Sequence, residues 1–294
     1  MKSERHNRPP LACEISADQV IAARAGDNGT ALGTCAARSL PEGSLAPDLT
    51  EANVLRPDSL RRAIAEALEP VASRAKDVTA VLPDAAARVV LLDFETLPQK
   101  REEAAAVVRF RLKKSLPFDV DRARVSYHAQ PAGGGVKVVA TVALANVIEE
   151  YESAFRDAGY APGVVIPSML ATLGAVDAVR PTMVLKVDSY TTSIAILDHT
   201  QLLLFRTLEN TRGLGITGDQ LAEDVYPSVV FFQDTYQLNV EHIYVAGLPE
   251  SGSALSSLQA QTNVNVQDLV GARDVHDING VSRSRLAGVL GALV

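Results

Sequence analysis

Two apolar segments of this chain each run into a short polar turn and straight out again, and together they point to an internal duplication. The clearer one is Leu185-Lys-Val-Asp-Ser-Tyr-Thr-Thr-Ser-Ile-Ala-Ile-Leu197. An apolar run delivers Asp188 into a turn of hydroxyl residues, and a second apolar strand leaves at once. A weaker echo is Leu11-Ala-Cys-Glu-Ile-Ser-Ala-Asp-Gln-Val-Ile-Ala-Ala23, where Glu14 ends a strand and Ser16 opens the turn. In such hairpins the turn amides and hydroxyls can surround a phosphate while the carboxylate organises Mg²⁺. Two of them, well separated, fit a duplicated domain with a nucleotide held between its halves.

The 294 residues suffice for two domains of ordinary size. A net charge of −7 gives no reason to expect nucleic acid as a partner. No run of about 18 apolar residues occurs, since the most apolar stretch, Gly163 to Val179, contains Pro167 and Asp177. The polar start, Met1 to Pro10, is followed by no signal-type apolar core, so a cytoplasmic location is expected. Cys13 and Cys35 read as small core residues in a reducing compartment. His6, His128, His199, His242 and His276 are scattered and offer no zinc-ligand spacing.

The chain opens with three strands, Leu11–Glu14, Val20–Arg24 and one around Gly33–Ser39. A loop from Leu40 to Leu55 leads to a helix capped by Asp58 or Ser59, with Leu60, Ile64 and Leu68 on one face and Pro70 able to shorten it. Strands Val78–Pro83 and Arg88–Phe94, a helix Lys100–Leu116 stopped by Pro117, and strands Arg124–Ala129 and Val136–Ala143 read as an inserted α+β subdomain over about 78–145. A helix capped by Asn146 and ended by Gly159, a strand Gly163–Ile166 and a helix Ser168–Val179 lead to a boundary at Arg180-Pro181. The first domain is thus 1–180 and the second 181–294. The second opens β-β-β from Met183 to Thr207, and Pro227 is expected to split the helical stretch Thr217–Leu238 in two. A strand His242–Ala246, a helix near Ala254–Gln261, a strand Val264–Val266 and a helix Ser282–Leu293 complete it. The overall order predicts an α/β fold with mixed sheets flanked by helices.

Asp188 with Ser189, Thr191, Thr192 and Ser193 can be read in two ways. As a phosphate clasp, the turn would hold the β/γ-phosphates and Asp188 a metal-bound water. As a polar hairpin, Asp188 would accept hydrogen bonds from its own turn amides. A close phosphate approach favours glycine after the acidic residue, and neither hairpin has one; Tyr190 is bulky where a ligand would lie. The strand ending in Ala246-Gly247 could pass its backbone over an adenosine, or simply turn into the next helix. No P-loop, Gly-x-Ser-x-Gly or His-Glu-x-x-His motif occurs, and no general base for a sugar-kinase reaction can be named. From Lys100 to Arg124, eight basic residues face four acids in an otherwise acidic chain. Arg109, Arg111, Lys113 and Lys114 there are candidates for docking an acidic peptide or an anionic membrane, or for a plain solvated face.

In order along the chain, Leu82-Pro83, Leu97-Pro98, the charged helix Glu102–Lys114, Leu116-Pro117-Phe118 and Val125-Ser-Tyr127 resemble the inserted subdomain of the PilM family of type IV pilus assembly proteins. That family is related to the cell-division protein FtsA within the actin-like ATPase superfamily. The resemblance continues through Val138–Val142, Tyr151–Tyr160, Phe205-Arg206 and Ile243–Gly247. It implies an actin-like (ribonuclease H-like) fold with duplicated domains and the small insertion. Carried over, Glu14 and Ser16 fall at the first phosphate motif, Asp188 at the second acidic position, and Gly247 at the adenosine motif, where Leu248 replaces a second glycine. The stretch around 207–225 is shorter than the family's and lacks most of the part that closes over adenine. The resemblance therefore implies a cytoplasmic adaptor of an inner-membrane platform that binds the tail of a PilN-like bitopic partner between the core and the insertion. It needs no cofactor, although ATP or ADP with Mg at Asp188 is the group the fold would take. An active, slowly hydrolysing ATPase is the competing reading, and self-association is compatible with both.

Overall fold

The structure is a computed structural model that describes residues 8–26, 32–249, 251–271 and 280–294. His6, Glu250 and His276 lie outside the described residues. The chain begins with β1 (Leu11–Ile15), β2 (Gln19–Ala25) and β3 (Leu32–Ser39), which form an antiparallel meander. Helix α1 (Pro57–Ala72) starts at Pro57, whose fixed φ suits a first helical turn, rather than at an Asp58 or Ser59 cap. Leu60, Ile64, Ala67, Leu68 and Val71 form its buried face. Pro70 lies inside the helix without ending it, and the carbonyl it leaves unbonded is that of exposed Glu66, which water can satisfy.

β4 (Asp77–Leu82) runs parallel to β1. Sequence alone groups this strand with the insertion, but its pairing puts it in the first sheet. The insertion proper is β5 (Arg88–Phe94), α2 (Arg101–Leu112), β6 (Ala123–Ala132) and β7 (Gly135–Leu144), a three-stranded sheet in the order β5-β7-β6. Val108 and Leu112 of α2 pack onto Leu92, Val138, Ala140 and Val142 of this sheet. α2 stops at Leu112, short of Pro117, because Lys113–Ser115 form a turn in which Ser115 N–H bonds the Leu112 carbonyl.

Next come α3 (Ala145–Asp157), β8 (Ala161–Pro167) and α4 (Ser168–Thr172). Asn146 lies inside α3 and does not cap it, while Gly159 takes the left-handed φ of +85° that turns the chain into β8. α4 is much shorter than the predicted Ser168–Val179 and gives way to a 3₁₀ turn at Leu173–Ala175.

In the second half, β9 (Thr182–Val187), β10 (Thr191–Asp198) and β11 (Gln201–Glu209) again form an antiparallel meander. A short 3₁₀ turn, Gly213–Gly215, leads to α5 (Gly218–Tyr236), which starts with a reciprocal Thr217–Gln220 capping box. Pro227 does not divide α5: the carbonyl it leaves unbonded is that of exposed Glu223, which water can satisfy. β12 (His242–Ala246), α6 (Gly252–Thr262), β13 (Asn265–Asp268), a 3₁₀ turn at Arg283–Leu286 and α7 (Ala287–Leu293) follow.

The duplication is explicit in the sheets. One has the order β3-β2-β1-β4-β8 and the other β11-β10-β9-β12-β13, each with an antiparallel meander followed by two parallel partners. A core containing Ala12, Ile21 and Val81 from one sheet and Val184 and Ala195 from the other joins the halves. α7 lies past the 180/181 boundary but packs on α4 and β1 of the first half. Gly174 and Gly291 make that packing possible, since a Cβ on Gly174 would strike the Gly291 carbonyl and one on Gly291 the Ala171 carbonyl.

Candidate functional site

The two polar turns are superposable in their bonding. Ser16 N–H bonds the Gln19 carbonyl at 2.9 Å, and Asp188 N–H bonds the Thr191 carbonyl at 2.9 Å. Ile15 pairs with Val20, and Val187 with Thr192. By this register Ser16 is the counterpart of Asp188. Glu14, which sequence alone matches to Asp188, is the counterpart of Lys186, one residue inside the strand.

These two strand residues meet. Lys186 Nζ lies 2.6 Å from Glu14 Oε1, with the side chains only 5% and 7% exposed. Ser168 Oγ donates to the same oxygen at 2.5 Å, while Glu14 Oε2 is buried with no hydrogen-bond partner among the described residues. Gly288 of α7 presses against this carboxylate and leaves no room for a Cβ. An ammonium and a carboxylate removed from water must be matched to each other, so this pair fixes the spacing of the central strands β1 and β9.

Asp188 is occupied by its own turn. Its Oδ1 accepts from the amides of Tyr190 and Thr191 at 2.7 and 2.6 Å, and its Oδ2 from Thr191 Oγ1 at 3.0 Å. Burial pushes the carboxyl above its ordinary range, against the pull of those donors and of Lys186. This is the Asx hairpin, one of the two alternatives left open by the sequence. Asn210 braces it by donating to the Asp188 carbonyl at 2.8 Å, and exposed Tyr190 reaches toward the Leu45 carbonyl of the first half. Ser189 is half-buried in the turn, and the buried Thr192 hydroxyl has no hydrogen-bond partner among the described residues.

The first turn is likewise committed. Ser16 Oγ lies 3.0 Å from Asp18 Oδ1, and the Arg285 fork grips Asp18 at 2.6 and 2.7 Å. Burial would raise Asp18, but the Arg285 hydrogen bonds and charge hold it below the usual carboxylate range. A third link crosses the seam nearby. Asp84, just after β4, accepts from Met169 N–H and from Ser193 Oγ of β10, each at 2.8 Å. Burial, helped by the Asp188 charge, pushes Asp84 up to about 7.

Gly247 follows β12 with φ +94°, and a Cβ there would collide with the Val187 carbonyl. Its backbone therefore crosses directly over the end of β9. Between Glu14, Ser168, Lys186, Asp188, Gly247 and Arg285 remains a cavity of about 20 Å³. One water fits such a space, whereas ligand sites commonly measure hundreds of Å³. At this point of the seam the carboxylates that would face Mg and phosphate are engaged by Lys186, Arg285 and turn amides, while a cavity of about 570 Å³ lies farther along, lined by Leu214, Ile216, Thr217, Pro249 and Ser253.

A larger space lies elsewhere. Between the insertion and the first sheet is a groove of about 480 Å³, lined by Arg124, Val125, Ser126 and Thr141 on one side and Pro162, Gly163, Val165 and Ile166 on the other. Its two rims are β6 and β8, each the outer strand of its sheet. Arg109 also reaches this groove, and it donates to the carbonyls of Val120 and Ala123. Arg111, Lys113 and Lys114 stay exposed on α2 and just past its end.

Sequence inspection missed Lys186, Ser168, Asp84, Asp18 and Arg285. A usable signal existed for one of them. Lys186 and Glu14 are the lone charges in otherwise apolar strand segments, and buried charges require partners. Ser168, Asp84, Asp18 and Arg285 carried none, because only the tertiary fold brings their partners to the seam.

No protein-family model and no curated protein sequence matches the chain significantly. Solved structures do. A chain of the PilM-PilN type IV pilus biogenesis complex superposes with a TM-score of 0.81 at 20% identity, over 97% of each chain. The cytoplasmic domain of EpsL, an inner membrane component of the type II secretion system of Vibrio cholerae, gives 0.53 at 9% identity over 90% of this chain and 98% of that one. A Bacteroides thetaiotaomicron protein with actin-like ATPase fold gives 0.51 at 11% identity over 100% and 99%. The chain thus has the actin-like ATPase fold, as the motif order implies.

Proposed function

We propose that this protein is a cytoplasmic adaptor of a type IV pilus inner-membrane assembly platform, or of the related secretion platform. It takes the extended cytoplasmic tail of a PilN-like bitopic protein in the groove between β6 and β8. The observation that carries the reading is that groove, in a fold matching a chain of the PilM-PilN complex. Two outer strands face one space large enough for several residues of peptide. An unpaired strand edge offers main-chain donors and acceptors to an extended segment, and the apolar floor offers pockets for alternate side chains. No helix among the described residues is long and apolar enough to cross a membrane, so recruitment through a membrane-anchored partner suits this chain.

In this reading nucleotide is dispensable. Support comes from the Glu14–Lys186 bond, the Arg285–Asp18 fork and the small residual cavity, which together fill the seam with the chain's own charges. Immobilised tail peptide should capture the protein from nucleotide-free buffer. Capture that appears only after ATP is added would sink the adaptor reading.

The competing reading is a nucleotide-cycling protein, favoured by the ATPase fold and the acidic hairpin at Asp188. Calorimetry separates the two. Saturable Mg-ATP binding that Asp188→Ala abolishes supports cycling, and no heat at millimolar nucleotide removes it.

A further inference from the structure

The charge on this molecule is unevenly placed. Residues 100–124 contain eight Lys or Arg against four Asp or Glu, a net of +4, so the remainder of a chain of net −7 carries −11. Within that segment the last turn of α2 presents Phe110, 67% exposed and the most exposed of the large apolar side chains described. Lys113, at the C-cap of α2, and Lys114, in the turn that follows, come three and four residues later, and Arg111 is the next residue after Phe110; all three are exposed. Lys113 has only a loose pairing with Asp121 at 3.5 Å, both well exposed, which does little to neutralise it. Arg111 stacks over Phe94 at 5.5 Å with its charge open to solvent. None of these four lines the groove between β6 and β8.

We propose that Phe110, Arg111, Lys113 and Lys114 form a docking surface for an anionic lipid bilayer, with the Phe110 ring entering the headgroup region and the cations facing acidic headgroups. An aromatic side chain beside flexible lysines at a helix end is a pattern suited to a membrane interface, where ring and charge sit at different depths. The charge asymmetry selects the orientation. The insertion is attracted to an anionic surface while the remainder is repelled, so the protein meets the bilayer insertion first. The contact is weak and reversible by construction, since one ring and three cations fall short of a stable anchor. It does not depend on the peptide-binding reading and is measured on the protein alone.

The chain contains no Trp, so Phe110→Trp installs a single reporter. Titrated with phosphatidylglycerol vesicles, this variant should show a blue-shifted emission that brominated lipid quenches and high salt reverses. Phosphatidylcholine vesicles should give no shift. Adding Lys113→Gln or Lys114→Gln should weaken the partitioning by about fivefold for each charge removed. Melting curves matching the parent protein show that the variants are folded. No shift with phosphatidylglycerol, or an equal shift with phosphatidylcholine, overturns the proposal. An emission change that tracks protein concentration without vesicles also overturns it, since a second copy then covers the ring.

Discussion

Glu14 and Lys186 hold the same place in the two repeats of this fold, and they are bonded to each other across the seam at 2.6 Å. A duplicated domain brings equivalent strands to face one another, and here the two facing positions carry opposite charge. In the proposed account this bond takes the bridging role that a nucleotide and its metal could otherwise fill between the halves.

Breaking the bond from one side should be costly. Lys186→Met leaves Glu14 buried beside Ser168 with an uncompensated charge and should destabilise the protein by about 3–5 kcal/mol in denaturant unfolding. The double variant Glu14→Leu/Lys186→Met removes both charges and should recover most of that loss. Equal destabilisation in the single and double variants would show that packing, not charge pairing, is what Lys186 contributes.

The seam should also respond to pH. The carboxyl of Asp84 is raised from 3.8 to about 7, chiefly by burial and then by the nearby Asp188 charge, with Lys186 opposing. Asp188 is raised in the same direction. Between the two Asp84 values the folded state binds a proton that the unfolded state has released. Stability should therefore rise as pH falls from about 8 toward 5, by at most about 1.4 kcal/mol per pH unit for each such group. Asp84→Asn should flatten the profile. A wild-type stability that falls steadily over this range would contradict the assignment.

Gly247 should tolerate no side chain. Gly247→Ala combines a left-handed backbone with a Cβ driven into the Val187 carbonyl, and should cost at least about 1–3 kcal/mol. Thermal unfolding reads it directly. A neutral result would show that β9 and the turn after β12 can separate freely.

The duplicated plan was legible because each polar turn is flanked by apolar strands whose length and alternation are local properties. α1, α3 and the β6–β7 hairpin were legible for the same reason. The limits were set by tertiary context. Pro227 looked like a break, yet packing of Leu221, Val225, Val229 and Phe232 keeps α5 continuous. The apolar run after Ser168 looked like a long helix, yet the crossing of α7 at Gly174 and Gly291 confines α4 to a short one. β4 looked like part of the insertion because it precedes β5, and only its pairing with β1 and β8 assigns it to the first sheet. Matching Glu14 to Asp188 followed residue type, whereas the turn hydrogen bonds match Ser16 to Asp188 and expose the true partner of Glu14.

Blocking the groove should abolish partner binding without harming the fold. Ser126→Trp on β6 would project a large ring into the space beside Val165 and Ile166. Tail-peptide affinity should fall by about tenfold or more, which is ~1.4 kcal/mol, with an unchanged melting temperature. Unchanged affinity would move the peptide site elsewhere.

The most direct test is the affinity of the fluorescent partner-tail peptide for the wild-type protein, measured by anisotropy without nucleotide and again with millimolar Mg-ATP. The account predicts saturable binding with the same dissociation constant in both buffers. Binding that requires Mg-ATP, or that tightens about tenfold when it is added, would contradict it.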